Sequence, residues 1–346
     1  MKSENVKQHY YGIDGIRTYA AISIVLMHIG ANAGYVINNF VYNNVIAKAG
    51  SFVQLFFIVS AFGMCVGYYD KIKENRISID EFYKKRIKKI LPFFLLLVLI
   101  DWFMNWEGIS SIYEGISNLT LLFGFLPNSN ISVIGVGWAL GVIFAFYWLF
   151  PAIVFGIYTK RRAWCTLIVS AFFYFACSNY FLVDGEVVRC NFLYWSFYFI
   201  LGGIIYLYKE TIIKITRSNI VVFGMITLVL TILYFIIPMQ NSIYYLTSTS
   251  VVFSFWMAFA ISFKSVMLAN SFTKFVSGIS LEIYLAHMMV FRASEKMHLL
   301  HITGYDLIDY LIVCVLVLLG SIIMAYVFQK LFKAICKSLK ERMLIN

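Results

Sequence analysis

The chain has 346 residues, of which 61% are hydrophobic and 13% charged, with a net charge of +11 and a mean hydropathy of +0.81. That composition excludes a soluble globular enzyme and predicts an all-α polytopic membrane protein. The positive charge does not argue for a nucleic-acid partner, because its placement follows membrane orientation instead.

Apolar runs of the ~20 residues that cross a bilayer fall at 12–32, 50–69, 89–105, 135–158, 164–180, 191–208, 218–238, 246–263, 277–294 and 307–330, predicting a bundle of about ten transmembrane helices. The stretch from Ile116 to Leu126 is too short to cross, ends at Pro127, and reads as interfacial or re-entrant. With the N-terminus in the cytoplasm, the inner segments hold 23 Lys and Arg residues and the opposite loops four, Lys48, Arg189, Arg292 and Lys296. Both termini are therefore expected to be cytoplasmic. Ala31-Asn32-Ala33 resembles a signal-peptidase site, but the charge alternation requires the first segment to be retained.

The longest outer loop, residues 106–134, is too short for a folded domain, so residues 1–346 are expected to form a single membrane domain with no appended soluble domain. Pro92, Pro127 and Pro238 sit at span ends or in a loop and Pro151 alone inside a span, so discontinuous midplane helices are not expected. The six cysteines, Cys65, Cys165, Cys177, Cys190, Cys314 and Cys336, show no C-x-x-C spacing and read as structural, and no metal site is expected.

The first span carries Asp14, Arg17 and His28. At ~100° per residue, Arg17 and His28 point within roughly 20° of each other and Asp14 lies about 60° from Arg17. A charge at the bilayer centre costs at least ~3 kcal/mol, so three such residues on one face call for a function. The span rises from the cytoplasm, which puts Arg17 near the inner interface and His28 ~16 Å further along. A cation there can hold an anionic cytosolic donor, and an imidazole deep in the span can exchange a proton or accept a group. Asp14, about 21 Å below His28, is too far to orient the imidazole and is expected to pair with Arg17 at i+3. Snorkelling of Arg17 and a helix–helix bond from His28 are the purely structural alternatives.

Further candidates follow. The run from Lys71 to Lys89 offers a concentrated positive surface, with Arg86 as its fork-like donor, although positive-inside signalling and anionic lipid explain most of its lysines. Glu282 and His287, five residues apart in the ninth span, are expected to line one cavity, with helix–helix hydrogen bonding as the alternative for each, as for Asp101 and Ser60. Trp102, Trp106, Trp138, Tyr194 and Trp195 read as an aromatic belt, with Trp138 also a candidate sugar platform.

Several of these segments resemble one family. Asp14-Gly15-Ile16-Arg17, ten residues and then His28 is similar to the first-span signature of the membrane acyltransferase-3 family, bacterial multi-span O-acyltransferases. Phe56-Phe57-Ile58-Val59-Ser60-Ala61-Phe62 resembles its Ser-Gly-Phe element, with Ala61 in place of glycine. The segment from Phe82 to Pro92 resembles Phe-x3-Arg-x2-Arg-Ile-x-Pro, with Arg86 in the first arginine position and Lys89 in the second. Gly137-Trp138-Ala139-Leu140, Phe146-Tyr147-x3-Pro151 and Ile279 to His287 resemble later family segments. One departure is clear: Ile143-Phe144-Ala145 stands where many members carry a Glu after the tryptophan.

The resemblance implies a multi-pass protein of the bacterial plasma membrane that moves an acyl group, commonly acetyl, from cytoplasmic acyl-coenzyme A to a hydroxyl of an extracytoplasmic carbohydrate or lipid-linked sugar. Acyl-CoA would be a co-substrate, with no permanently bound cofactor. In these terms His28 and His287 are the catalytic candidates, Arg17, Arg86 and Lys89 bind acyl-CoA, and Asp14, Ser60, Trp138 and Glu282 support substrate. His28 is the natural general base, or a transient acyl carrier. The competing readings are a transporter or flippase for an anionic glycolipid, and an acyltransferase-like partner that has lost catalysis.

Overall fold

The computed structural model describes residues 9–125, 135–238 and 241–345, with side chains as far as Ser338. Leu126 and Pro127 lie outside the described residues. Each of the ten apolar runs carries a helix. The first is α1 (Tyr11–Asn32), whose cytoplasm-proximal half in the sequence reading is drawn tightly against its neighbours. A Cβ at Gly12 would come within 2.2 Å of the Ala260 carbonyl oxygen, and one at Gly15 within 2.5 Å of Leu268 Cα. Thr18 adds a hydrogen bond from Oγ1 to the Thr273 carbonyl at 2.9 Å. The glycines flanking Asp14 are thus packing residues, and they fix the level at which Arg17 leaves the helix.

The next helix, α2 (Phe52–Met64), is continued by a π-helical turn at Cys65–Tyr69 and the short α3 (Asp70–Lys73). Phe57, Ile58 and Phe62 on α2 are fully enclosed, which puts this helix at the centre of the bundle. α4 (Ile79–Met104) starts at Ser78, whose side chain accepts from the Glu81 amide, and then runs unbroken through Pro92. Pro92 was expected at a span end. It removes one backbone donor, but Phe93, Phe94, Leu97 and Val98 are buried directly after it, and that packing holds the helix together. α5 (Ile109–Leu119) folds back on α4, with Trp102 Nε1 donating to the Ser111 carbonyl at 2.8 Å. At 11 residues it is too short to cross a bilayer, and a turn at Phe123–Phe125 follows, with Phe123 buried and Phe125 exposed.

α6 (Trp138–Gly156), α7 (Lys160–Asn179) and α8 (Phe192–Leu207) come next, with a two-residue hairpin, β1 (Leu182–Val183) and β2 (Glu186–Val187), between the last two. α8 packs on α2 so closely that a Cβ at Gly202 would lie 2.8 Å from Ala61 Cβ and 2.3 Å from the Ile58 carbonyl oxygen. The methyl that Ala61 adds is accommodated by the missing side chain at Gly202. α9 (Lys209–Ser218), α10 (Ile220–Ile236), α11 (Ser242–Ser262), α12 (Ser271–Gly278), α13 (Ser280–Lys296) and α14 (Asp306–Ile345) complete the chain.

The expected count of spans is met in part. By length and apolarity four helical runs suffice to cross a membrane, Val41–Lys73, Trp138–Gly156, Ser242–Ser262 and Asp306–Ser338, or up to six if each of two bent pairs forms one span. The count falls below ten because the polar residues that single out α1, and Lys88, Lys89 and Asp101 on α4, lower the apolarity of those helices, while α10 is short. The bent pairs are a feature the apolar runs did not announce. α8 meets α9, and α12 meets α13, at 70°, each bend falling at the edge of an apolar run, at Tyr208 and at Gly278–Ile279, without a proline. Side-chain-free Gly278 and the non-helical Ile279 (φ −121°, ψ 12°) form the break, and an Asn270 capping box starts α12 independently.

Candidate functional site

Two cavities lie on either side of Tyr284. The first, of about 100 Å³, is lined by Arg17, Ser60, Lys89, Tyr147, Ser280 and Glu282 among others. Its position follows from the elements just described, because the α12–α13 break opens on it and no side chain caps the N-terminus of α13. Unpaired amides and the positive end of a helix dipole favour an anion there. Gly63 makes room for Arg17, since a Cβ would stand 3.2 Å from its Nη2. Among the described residues Arg17 has no ion pair within 4.0 Å.

Asp14 does not pair with Arg17. Its Oδ2 lies 2.8 Å from His9 Nε2, and its Oδ1 accepts from Ser277 Oγ at 2.9 Å. The expected i+3 pair loses to these partners because Asp14 is buried against α12, while the Arg17 guanidinium turns to α2 at Gly63. Glu282 is also anchored, accepting from Gln329 Nε2 of α14 at 2.8 Å. Arg86 stands behind the cavity wall. Its Nη2 donates to Tyr68 Oη at 2.8 Å, its guanidinium lies 4.9 Å from the Tyr68 ring centre and 5.9 Å from that of Tyr147, and its buried Nε has no partner. Tyr147 connects Arg86 to the cavity.

The second cavity, of about 720 Å³, is lined by His28, Asp101, Trp138, Arg189, Arg292 and Lys296 among others. The imidazole of His28 meets that of His287, with ring centres 5.2 Å apart and planes inclined by 40°. His287 is fully enclosed, and its Nδ1 lies 2.6 Å from the Tyr284 carbonyl oxygen. A carbonyl only accepts, so Nδ1 carries the proton and Nε2 presents a lone pair. That Nε2 is buried without a hydrogen-bond partner, an arrangement that costs stability unless a reaction uses it. Glu282 and His287, expected to share a cavity, do not, since the four residues between them include Tyr284, which closes the first cavity, and His287 stands beyond it against His28.

The layer between the cavities is aromatic. Tyr284 lines the first cavity and its hydroxyl donates to the carbonyl of Val136, which lines the second, at 3.1 Å. Phe56 packs on Tyr284 at 6.3 Å, and Phe57 on Trp138 at 6.3 Å. Trp138 also packs on Trp195 at 5.6 Å. Trp138 and Trp195 are therefore part of the interior and not of a lipid-facing belt, whereas Trp106 is exposed. The belt reading failed for these two because their partners come from α2, distant in sequence.

Arg17, Lys89, Ser60 and Glu282 thus meet in one cavity, His28 and Trp138 in the other, with His287 beside His28, Arg86 behind a tyrosine, and Asp14 in a structural cluster. Tyr147 and Tyr284 were not singled out beforehand, although both stand inside the motif segments. The lining cations Arg189, Arg292 and Lys296 had a signal in the sequence as exceptions to the inner bias of positive charge.

The described residues thus form a helical bundle with apolar helices, a cation-lined cavity and an imidazole pair. A family model described as an acyltransferase domain matches residues 10–326, and the chain belongs to the acyltransferase-3 family. It is a membrane acyltransferase. No curated protein and no solved structure matches the chain.

Proposed function

We propose that the protein moves an acyl group, acetyl in the simplest case, from cytoplasmic acyl-CoA to a hydroxyl of an extracytoplasmic carbohydrate or glycolipid, across ten spans with both termini in the cytoplasm. The observation that carries this reading is the division of labour along α1, with an unpaired arginine in one cavity and an imidazole pair at the other. Coenzyme A carries several phosphates and a thioester at the end of a long flexible arm. A cavity of about 100 Å³ is far too small for the nucleotide, so the phosphates would stay outside it, drawn by the basic face of α4, while Arg17 and Lys89 in its lining face the thioester end.

At the far end His28 accepts the proton of the acceptor hydroxyl as its oxygen attacks the thioester carbonyl. The carbon–oxygen bond forms, the carbon–sulfur bond breaks, and the proton returns to the departing thiolate, giving ester and coenzyme A. His287, with Nδ1–H held by Tyr284, packs its ring on that of His28, and its Nε2, without a partner in this structure, would accept the His28 ring N–H once His28 takes up the proton, as a third group does for a catalytic base. The carboxylate absent at Ile143-Phe144-Ala145 is not needed for these steps.

The Tyr284 layer favours a second form of the same reading, in which His28 carries the acyl group briefly between the cavities. The bent α12–α13 pair resembles a trait of transporters, but in this reading the uncapped α13 terminus serves donor binding. Purified protein supplied with acyl-CoA and an oligosaccharide acceptor should release coenzyme A and form ester. His28→Ala should abolish both while still inserting and folding, and full activity in that variant would refute the assignment.

A further inference from the structure

Only four basic residues fall in the loops opposite the cytoplasmic ones in the charge pattern, and their placement is not random. Lys48 has a structural use. Its Nζ donates to the carbonyls of Tyr234, Phe235 and Ile237 at 2.8, 3.0 and 2.8 Å, closing the C-terminal end of α10. The other three, Arg189, Arg292 and Lys296, all line the cavity that contains His28. They come from two separate regions of the chain, the segment after the β1–β2 hairpin and the end of α13.

Their pairing is incomplete. Arg292 bonds Glu295 at 2.7 Å. Lys296 reaches only the Asn105 side chain at 3.4 Å and the Met104 carbonyl at 3.5 Å, at the long end of hydrogen bonding. Arg189 makes no side-chain ion pair among the described residues and is exposed. Asp101, the one carboxylate lining this cavity, is held by Asn105 Nδ2 at 2.8 Å. The cavity above His28 therefore carries surplus positive charge, where a neutral sugar would need none.

We infer that the acceptor is an anionic glycan, with a carboxylate or phosphate held by Arg189 and Lys296 so that a neighbouring hydroxyl faces His28. This rests on the O-acyltransferase reading for the word acceptor, whereas the anion site itself does not. Arg189 supplies the fork that a carboxylate or phosphate fits, and Lys296 a mobile point charge. Trp138, which lines the same cavity, offers a flat apolar surface to a sugar ring.

The test uses full-length protein in nanodiscs of neutral lipid, titrated with trigalacturonate, a phosphorylated maltotriose and plain maltotriose. Binding of either anionic probe at least about tenfold tighter than maltotriose, weakening as salt is added, is expected. Arg189→Gln and Lys296→Gln should each weaken anionic binding about tenfold and leave maltotriose unaffected, while Arg189→Lys, which keeps the charge and loses the fork, should weaken it less than Arg189→Gln does, which guards against misfolding as the cause. A preference for the carboxylate or the phosphate probe identifies the source of the anion. Equal affinity for maltotriose, indifference to both Gln substitutions, or occupation only by added phosphatidylglycerol would overturn the proposal. Coenzyme A release is measured in parallel: tight anionic binding without acyl transfer would leave the site standing and refute the O-acyltransferase reading instead.

Discussion

His28 on α1 and His287 on α13 place their imidazoles 5.2 Å apart, and the inner of the two has its Nδ1–H committed to the Tyr284 carbonyl. The pair joins the first and the ninth apolar runs of the chain. His287 lines neither of the two cavities, so its chemical effect would reach the acceptor through His28. Replacing His287 by Phe removes the lone pair but keeps a ring in the enclosed site. It should lower kcat for acyl transfer by about 10²-fold or more while changing KM for acyl-CoA little, since general acid–base groups contribute of that order. Steady-state coenzyme A release over a range of donor concentrations checks the split.

Arg17 should behave in the opposite way. Arg17→Gln removes an unpaired cation from the wall of the 100 Å³ cavity, and the loss of one charge-assisted contact of ~1.5–3 kcal/mol should weaken donor binding about 10–100-fold. Titration with coenzyme A would show this directly, and His28→Ala should bind coenzyme A as the parent does. If both substitutions weakened donor binding equally, the separation of roles along α1 would be wrong.

Much of this arrangement was legible in the sequence, and the parts that were not share a cause. Helical spacing puts Arg17 and His28 on one face, and the motif segments contain Ser60, Arg86, Lys89, Trp138, Glu282 and His287. Periodicity along one helix does not reveal what stands opposite. Asp14 was matched to its i+3 neighbour because His9 lies outside the helix and Ser277 is 263 residues away. The division between Glu282 and His287 depends on Tyr284 reaching Val136, 148 residues earlier. The break at Ile279 was missed because it needs no proline, only a glycine and a second helix start at Asn270.

The glycines of α1 give a stability prediction independent of catalysis. Gly12→Ala would drive a methyl group to 2.2 Å from the Ala260 carbonyl oxygen, a backbone atom that cannot rotate away. Overpacking of this kind costs typically ~1–3 kcal/mol. The variant should unfold at lower temperature in detergent than the parent. Gly67→Ala, with no atom within 4 Å of the added carbon, should not, and a similar loss for both would show that α1 is not clamped as described.

The aromatic layer can be opened separately. Tyr284→Phe removes only the hydrogen bond to Val136, and should reduce acyl transfer to a sugar acceptor by less than about tenfold, the loss expected of one neutral hydrogen bond. Tyr284→Ala removes the ring between the two cavities. It should raise thioester hydrolysis in the absence of acceptor, because water from the 720 Å³ cavity then reaches the donor. Unchanged hydrolysis in the Ala variant would mean that Tyr284 does not separate donor from acceptor.

The central claim is that an acyl group enters at the Arg17 end of the bundle and leaves at the His28 end. It is tested by reconstituting the protein in sealed vesicles, selecting one orientation, and supplying acyl-labelled CoA on the side of the N-terminus and an anionic oligosaccharide on the other. The account predicts labelled ester on the oligosaccharide side, dependent on both His28 and Arg17. Label confined to the donor side, or ester formed equally well by His28→Ala, would contradict it.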